Sequence, residues 1–492
     1  MKYKIGICFL FLLCVVAAAG SGCITGPEDS AENKTENLEA IEGLWLGSLK
    51  IQPDVELRLL FNISKAPETG FLTATLDSPD QGISGIPVEK IRYESGNLRL
   101  EALSINGIFE GILKEKGPTL EGEWKQGGAT FPIVLQPTDK APELRRPQDP
   151  VKPYPYIEEE VSFENKEGKI RLAGTLTLPK TEGPFPAVLL ITGSGQQDRN
   201  EELCGHRPFL VLADYLTRRG IAVLRVDDRG IGGSSGNFSE ATSEDFAEDA
   251  LAGVEYLKSR KEIDSAHIGL IGHSEGGLIA PIAAGNDPDI AFLVLLAGPG
   301  LPGEEIIYLQ SALIAKAEGT DSEIIAQNRL LQEKLFSVLK TEENNTLAAE
   351  KLREILKESL TNMSAEDKKN FDYSEEELEF QVQVLVSPWM RNFLSYDPKT
   401  ALKEVKVPVL AINGDKDLQV PSKENLQAIE AALLAGGNEN YTIKEMPGLN
   451  HLLQSANTGS PFEYATIQET ISPAALQLIG DWILEQTQNL EE

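Results

Sequence analysis

The sequence predicts a small all-β domain followed by a larger α/β domain built on a mostly parallel sheet. Residues 42–136 contain short, often alternating apolar segments separated by Gly, Pro, Asn or Asp, which is typical of antiparallel strands. Residues 137–156 are rich in proline and charge and indicate a stiff linker. From residue 157 onward, a predicted hairpin leads into alternating strands and helices, the order that gives a mostly parallel sheet with helices on both faces.

The individual elements follow from local patterns. In the all-β region the strands are expected at residues 44–51, 55–63, 71–76, 88–93, 98–103, 107–113, 119–124 and 130–135. The hairpin of the second domain is expected at residues 157–163 and 169–178. One helix is especially clear, because capping residues Thr242 and Ser243 precede an apolar face made by Phe246, Ala250, Val254 and Leu257. No residue of the all-β region identifies a ligand.

The first residues predict export. Residues 1–4 are basic, residues 5–19 are apolar but short for a membrane span, and small residues then lead to Cys23. The segment before Cys23 is similar to a lipoprotein processing site, although Gly20 stands where leucine is usual. We expect residues 1–23 to be a signal, residues 24–41 a polar tether, and Cys23 a lipid anchor that holds an exported protein at the membrane. Simple secretion and an uncleaved anchor are the alternatives.

Composition argues against several classes of function. The 492 residues suffice for two or three domains, and the formal net charge of −31 argues against a nucleic acid partner, which requires a basic face. Beyond the predicted signal only Cys204 remains, so no intramolecular disulfide is expected. The four histidines are scattered and show no metal-binding spacing. We therefore expect no metal site, and the oligomeric state stays open.

Residues 268–277 carry the strongest chemical signal. An apolar run enters Gly-His-Ser-Glu-Gly at residues 272–276, a Gly-x-Ser-x-Gly pattern that is typical of a nucleophile elbow. In such an elbow a strand turns sharply into a helix and exposes the serine, here Ser274, at the carboxyl edge of a sheet. Gly272 and Gly276 are then required because a Cβ atom would not fit in the turn. By itself, the pentapeptide could equally be an ordinary glycine-rich turn.

The flanking residues fit an elbow. Residues 267–271 read as a buried strand, and residues 277–284 read as a helix with Pro281 in its first turn. An acid and a histidine should follow the serine in that order. Residues 407–413 form a second buried-strand pattern that ends near two aspartates. We prefer Asp417 to Asp415 as the acid, because Asp415 directly follows a glycine and resembles a turn cap.

The histidine is assigned by elimination. The chain has four histidines, and three of them begin the strand before the elbow, lie within the elbow or precede the serine in sequence: His267, His273 and His206. His451 remains, in a loop after the strand-like residues 441–446. A serine hydroxyl is a poor nucleophile at neutral pH, so an imidazole must take its proton and later return it to the leaving group. Asp417 would hold His451 in the tautomer that this transfer needs.

The negative charge that develops during acyl transfer needs hydrogen-bond donors. The backbone N–H of Glu275, which follows the serine, is expected to be one donor. The second is expected from the loop after the apolar strand at residues 186–192, from the N–H of Ser194 or Gly195. This loop lies one strand-helix-strand unit before the elbow.

More than a hundred residues separate the strand at 292–296 from the strand at 407–413. This stretch is rich in charged residues, and its apolar residues recur at helical spacing, so we expect a helical cap at about residues 301–393. Insertions at this point of such a sheet emerge at its carboxyl edge, which favours a lid that shapes the acyl pocket over a helical excursion remote from the site.

The chain resembles the α/β-hydrolase superfamily and, more closely, the EstD-type carboxylesterases. Besides the elbow, the aspartate and the histidine, the resemblance includes residues 192–200 (TGSGQQDRN), 226–232 (VDDRGIG) and 448–454 (GLNHLLQ), and it extends to the β-rich front at residues 43–47 and 77–82. Gln196 stands where this family is expected to carry proline. The resemblance implies an α/β-hydrolase fold with an N-terminal β-rich accessory domain and hydrolysis of short or medium acyl esters without a cofactor. It does not fix the natural substrate.

Two acid–base neighbours in the shared segments have structural interpretations. We expect Asp198 to pair with Arg199, and Asp228 with Arg229, each pair bracing its own loop.

Three hypotheses for function remain. The leading one is a serine carboxylesterase acting through an acyl-enzyme on Ser274. The second is a serine peptidase of the same superfamily, which would need a carboxylate to hold a peptide amine. The third is a non-catalytic, surface-anchored binding protein.

Overall fold

The computed structural model describes residues 40–52, 55–65, 71–79, 83–114, 117–126, 129–141, 146–362 and 375–488. The predicted signal with Cys23 and nearly all of the predicted tether lie outside the described residues. The chain separates into two compact units, with the main boundary between Arg145 and Arg146. No helix in the described ranges is long and apolar enough to cross a membrane.

The first unit is an antiparallel sheet. Its described strands are β1 (Gly43–Gln52), β2 (Val55–Lys65), β3 (Leu72–Ser78), β4 (Ile83–Val88), β5 (Lys90–Glu94), β6 (Asn97–Ala102), β7 (Gly107–Lys114), β8 (Thr119–Gln126) and β9 (Ala129–Thr138). They are ordered β4-β3-β2-β1-β9-β8-β7-β6-β5. Strands β3 and β4 also approach β5 and β6, so the sheet curls until its two edges are near each other. This all-β unit agrees with the fold class predicted for the front of the chain.

An aromatic core holds this unit together. Phe61 contacts both Phe109 and Trp124, with ring centroids 5.8 and 6.0 Å apart, and all three side chains are fully buried. Strand β4 was not among the predicted strands. Its sequence contains Gly85 and Pro87, which weaken a strand pattern, and proline is tolerated here because β4 is an edge strand of the sheet.

The second unit contains the mostly parallel sheet that the sequence predicts. Its described strands are β10 (Ile157–Asn165), β11 (Ile170–Leu178), β12 (Phe185–Ile191), β13 (Ala222–Val226), β14 (Ile263–His273), β15 (Phe292–Leu296), β16 (Val409–Gly414) and β17 (Tyr441–Met446). Their order is β10-β11-β13-β12-β14-β15-β16-β17. The pairs β10–β11 and β11–β13 are antiparallel, and every later pair is parallel. Strand β15 is buried along its whole length, as expected for a central parallel strand.

Helices cover both faces of this sheet. In the described residues they are α1 (Pro208–Arg218), α2 (Ser243–Lys258), α3 (Gly276–Asn286), α4 (Gly303–Ala317), α5 (Ser322–Thr341), α6 (Asn345–Asn362), α7 (Glu375–Leu385), α8 (Pro388–Ser395), α9 (Lys399–Glu404), α10 (Ser422–Ala435) and α11 (Pro473–Gln488). Helices α2, α3 and α10 pack on one face, and α1 and α11 pack on the other. Helices α4 to α8 form a helical insertion between β15 and β16, with an apolar core of their own.

Two local features differ from the sequence-based expectations. Helix α3 begins at Gly276, so Pro281 lies in the helix interior and not in the first turn; it leaves the carbonyl of Gly277 without the usual donor. The segment predicted as a linker is also partly structured. Strand β9 extends to Thr138, and the buried Arg146 donates to the carbonyl oxygens of Cys204, Ala465 and Ile467 within the second unit.

Candidate active site

The candidate site lies at the carboxyl edge of the parallel sheet. Strands β14, β15, β16 and β17 are consecutive neighbours, so the loops that follow them emerge side by side. Ser274 follows β14, Asp417 follows β16 and His451 follows β17. Ligands of such open sheets bind at this edge. The topology therefore collects the three predicted residues from positions far apart in the chain.

Ser274 occupies a strained turn. Its φ angle is +52°, in the left-handed region that residues with a Cβ atom rarely adopt, and its N–H donates to Leu296 O at 2.9 Å. A Cβ atom on Gly272 would overlap the backbone of Gly276, and one on Gly276 would overlap the carbonyl of Ile191. Both glycines are therefore steric requirements of the turn, for the reason expected from the sequence.

Asp417 and His451 are in direct contact. The distance from His451 Nδ1 to Asp417 Oδ2 is 2.8 Å, and both side chains are buried. The other carboxylate oxygen of Asp417 accepts from the N–H groups of Gln419 and Val420, each at 2.8 Å. Three hydrogen bonds thus fix the carboxylate and, through it, the plane of the imidazole.

Asp415 has a different role. It is exposed, and its Oδ1 accepts from the N–H of Gly448 at 2.6 Å. This bond joins the loops after β16 and β17 without reaching the imidazole. Asp415 is therefore a loop cap, and the geometry brings Asp417, not Asp415, to His451.

The histidine loop also contacts the elbow. Nε2 of His273, the residue before Ser274, lies 3.0 Å from His451 O, and the two imidazole rings have centroids 4.9 Å apart. The elbow and the loop that carries His451 are consequently locked to each other through main-chain and side-chain atoms.

The loop after β12 lies against the serine. A Cβ atom on Gly193 would lie 3.1 Å from Ser274 Cβ, so this loop is in van der Waals contact with the elbow. The N–H of Gly193 donates to Glu201 Oε1 at 2.7 Å. Within the described ranges, the N–H groups of Ser194, Gly195 and Glu275 donate to no protein acceptor. These three amides, which are the predicted oxyanion donors, are therefore available to a ligand.

The adjacent acidic and basic residues at 198–199 and 228–229 do not pair with each other as predicted. Arg199 binds Asp227, with Nη2 to Oδ2 at 2.8 Å, and Arg229 binds Asp249, with Nε to Oδ2 at 2.7 Å. Asp198 accepts from the N–H of Asn200 at 3.1 Å. Neighbours in a loop point in different directions, so each charge finds its partner on another element or on the adjacent main chain.

Asp228 is partly buried against the loop after β12. It accepts from Thr192 Oγ1 at 2.7 Å and from the N–H of Gln197 at 2.9 Å. Burial holds the pKa of this carboxyl well above its usual range, although both hydrogen bonds act in the opposite direction. The contacts connect the two ends of the loop, so Asp228 braces it without touching the serine.

Glu275 has a buried carboxylate with donors from separate elements. It accepts from Ser243 Oγ at 2.6 Å and from the indole Nε1 of Trp389 at 2.9 and 3.0 Å, and it also bonds to Ser194. Burial raises the pKa of Glu275, and these donors oppose that rise. The side chain of the residue after the nucleophile therefore links the elbow, the start of α2, the loop after β12 and helix α8.

Sequence reasoning missed three of these residues. No sequence motif indicates a role for Glu201 or Trp389, or identifies Ser243 as a partner of Glu275, because each acts through contacts made only in the folded chain. Thr242 and Ser243 were both expected as capping residues; Thr242 is the cap, and Ser243 is the first residue of the helix. In the described part of the chain no group of three or more His, Cys, Asp or Glu residues is arranged to hold a metal ion.

Comparison with curated proteins gives partial relatives. The chain is 31% identical over 317 residues to Esterase EstD of Thermotoga maritima, a match that covers 63% of this chain and 65% of that protein. It is 37% identical over 134 residues to the putative hydrolase YtaP of Bacillus subtilis, covering 23% of this chain and 44% of that protein. The chain therefore matches less than two thirds of the length of these curated relatives.

Solved structures give more distant similarities. Est1E of Butyrivibrio proteoclasticus, solved with ferulic acid, is 19% identical with a TM-score of 0.38, covering 67% of this chain and all of that one. An esterase of Pyrococcus furiosus is 17% identical with a TM-score of 0.40, covering 67% of this chain and 91% of that one.

A family model described as serine aminopeptidase, S33, matches residues 207–455, which is half of the chain. The matched region begins just before α1 and ends after the loop of β17, so it contains the elbow, the acid loop and the histidine loop. The chain belongs to the serine aminopeptidase S33 family of α/β hydrolases.

Proposed function

We propose that this protein is a serine carboxylesterase that hydrolyses short- to medium-chain acyl esters through an acyl-enzyme on Ser274. The observation that carries the proposal is the placement of a strained elbow serine and a buried His451–Asp417 pair, whose nitrogen and oxygen are 2.8 Å apart, on loops that emerge at the same edge of the sheet. The 31% identity to Esterase EstD supports an ester as the substrate class.

The proposed reaction has two steps. In the first, His451 takes the proton of the Ser274 hydroxyl as the oxygen attacks the ester carbonyl, and returns it to the departing alcohol. In the second, His451 takes a proton from water as the water oxygen attacks the acyl carbon. The bond from that carbon to Ser274 Oγ then breaks, His451 returns the proton to Ser274, and the carboxylic acid is released. Asp417 stabilises the imidazolium formed in each step. The N–H of Glu275 and that of Ser194 or Gly195 would bind the oxyanion, because these amides have no protein acceptor among the described residues.

We propose further that the helical insertion acts as a cap over this site. Helix α8 packs against α2 and against the turn at Phe238–Glu240, and its Trp389 donates to the residue that follows the nucleophile. An insertion fixed at this point can shape the space that receives the acyl or alcohol group.

The family name makes a serine aminopeptidase the second candidate. Such an enzyme needs a carboxylate that is free to bind the substrate amine. Two carboxylates that contact the elbow are already occupied, because Glu275 accepts from Ser243 and Trp389, and Glu201 accepts from Gly193 and His273. This occupancy favours the ester.

The test compares p-nitrophenyl esters of increasing acyl length with aminoacyl-p-nitroanilides, using the wild-type protein and Ser274→Ala. We expect hydrolysis of the butyrate ester, weak or no anilide cleavage, and loss of both in the variant. Faster cleavage of an anilide than of any ester would replace the esterase by the peptidase. Failure of a fluorophosphonate to label Ser274 would instead favour a non-catalytic binding protein.

Export and anchoring at Cys23 are proposed from the sequence alone. If Cys23 carries lipid, wild-type protein should fractionate with membranes and Cys23→Ala should not. Equal distribution of the two proteins would exclude the anchor.

A further inference from the structure

A second imidazole lies beside the proposed nucleophile. His273 Nδ1 is 2.9 Å from Glu201 Oε1, and its Nε2 is 3.0 Å from His451 O. Both partners are oxygen atoms, and a carbonyl oxygen can only accept. A neutral imidazole donates from one nitrogen, whereas an imidazolium donates from both. The two contacts together therefore fit a positively charged His273 opposite a negatively charged Glu201.

The surroundings support this charge assignment. Burial by itself lowers the pKa of His273, but the charge and hydrogen bond of Glu201, together with the carbonyl of His451, raise it above its ordinary value. Glu201 is buried at 4% exposure, and its Oε1 also accepts from the N–H of Gly193 at 2.7 Å. One carboxylate oxygen is thus shared by an amide donor and an imidazole donor.

Glu201 is held in a costly conformation. Its φ angle is +52°, and its N–H donates to Asp198 O at 2.9 Å. A residue other than glycine persists in this region only when its surroundings determine the conformation, and such residues are concentrated at functional sites. The turn aims the carboxylate at the elbow.

The contacts form one continuous connection across the site. At one end, Gly193 belongs to the loop that supplies the proposed oxyanion donors, and its own N–H donates to Glu201. At the other end, His273 binds the carbonyl oxygen of His451, and Asp417 binds Nδ1 of His451. The proposed base is therefore fixed through its main chain and its side chain.

We propose that Glu201 and His273 are a positioning pair that sets the oxyanion loop and the base His451 in register with Ser274. The inference rests on the proposed hydrolase function. Neither residue exchanges a proton with the substrate; the pair acts by holding two groups that do. Since a displacement of about 1 Å can cost about 100-fold in rate, loss of the pair should lower kcat by about 100-fold. KM should change little, because the pair binds no substrate.

The test uses three variants and a matched control. Glu201→Gln keeps an amide oxygen that can accept from Gly193 but removes the charge. His273→Gln keeps a donor near the position of Nε2 for the carbonyl of His451 but removes the contact with Glu201. The double variant lacks both sides of the pair. The control is His267→Gln on the same strand, where His267 Nδ1 lies 2.7 Å from Asp264 Oδ2, remote from the carboxyl edge of the sheet.

Activity on p-nitrophenyl butyrate is measured well below the melting temperature of every variant. We expect kcat to fall about 100-fold in each single variant, with KM within about threefold. The double variant should be no slower than the slower single variant, because residues that act as a unit are not additive. The control should keep wild-type kcat. Imidazole ¹⁵N NMR of the wild type should show His273 protonated on both nitrogens at neutral pH.

Two outcomes would overturn the inference while leaving the proposed function intact. One is wild-type kcat in folded Glu201→Gln and His273→Gln with only a lower Tm, the result of a purely structural pair. The other is a double variant whose loss equals the product of the single losses. A wild-type protein that hydrolyses no ester and is not labelled at Ser274 would end the function and the inference together.

Discussion

Replacement of Asp417 by asparagine should trap the imidazole of His451 in an unproductive tautomer. One oxygen of Asp417 accepts from the N–H groups of Gln419 and Val420, and the other accepts from His451 Nδ1. The two amide donors would bind the side-chain oxygen of the asparagine and so point its NH₂ group at Nδ1. Nδ1 would then have to accept, and the ring proton would move to Nε2. A protonated Nε2 cannot take the proton of Ser274.

The expected loss can be estimated from this geometry. An orienting aspartate replaced by asparagine with its geometry intact lowers kcat by about 10⁴-fold in a serine hydrolase of this type, because the tautomer is wrong. At about 1.36 kcal/mol per factor of ten, that is about 5.4 kcal/mol of transition-state stabilisation. KM should stay near the wild-type value, since Asp417 is buried behind the imidazole.

Asp415→Asn is the matched control. Asp415 is exposed, and in the described chain its carboxylate accepts one hydrogen bond, from the N–H of Gly448. The side-chain oxygen of an asparagine can accept the same hydrogen bond. The kcat of Asp415→Asn should stay within about threefold of wild type, because Asp415 does not contact the imidazole. Both variants are assayed on p-nitrophenyl butyrate, with circular dichroism to establish folding. Equal losses in the two variants, or a loss below tenfold in Asp417→Asn, would refute the assignment of the acid.

Three further predictions concern the elbow, helix α8 and a buried histidine. Gly272→Ala should destabilise the fold by about 3 kcal/mol, because the new Cβ overlaps the backbone of Gly276; a wild-type urea midpoint would contradict the steric argument. Trp389→Phe removes the donor to Glu275 and should lower kcat/KM about tenfold, mainly through KM; an unchanged KM would count against the cap. Burial lowers the pKa of His206 to about 4, against about 6.5 when unfolded, so the unfolded chain binds more protons as pH falls through this interval. The free energy of unfolding that this group contributes above pH 6.5 should be lost progressively toward pH 4, by about 3 kcal/mol in total. In urea unfolding between pH 7 and 4.5, the stability of His206→Asn should therefore fall less steeply with pH than that of the wild type; equal pH dependence of the two proteins would contradict the prediction.

Local patterns in the sequence determined much of the fold. Alternation of apolar residues predicted most strands of the all-β unit, and continuous apolar runs such as residues 292–296 predicted buried parallel strands. Capping residues predicted the start of α2 to within a residue. These signals work because burial and hydrogen bonding constrain the residue type at each position. The edge strand β4 escaped because an edge position tolerates the glycine and proline that usually interrupt a strand.

The residue types of the candidate site, and their order in the chain, were also readable from the sequence. An elbow needs glycines at two fixed positions, and only one histidine was left for the loop after the last strand. The sequence favoured Asp417 over Asp415 as the partner of that histidine but did not decide between them. The structure places Asp417 at 2.8 Å and turns Asp415 toward Gly448.

Only the tertiary structure decided which side chains support these residues. Glu201 and Trp389 reach the elbow from a loop and from the helical insertion, and Glu201 binds His273 within it. The arginines of the shared segments find acids on other elements. Such contacts depend on the relative placement of distant segments in three dimensions, whereas a linear pattern records only the needs of each backbone segment. The sequence therefore determined where the reacting groups belong, and the packing of the folded chain decided what holds them in place.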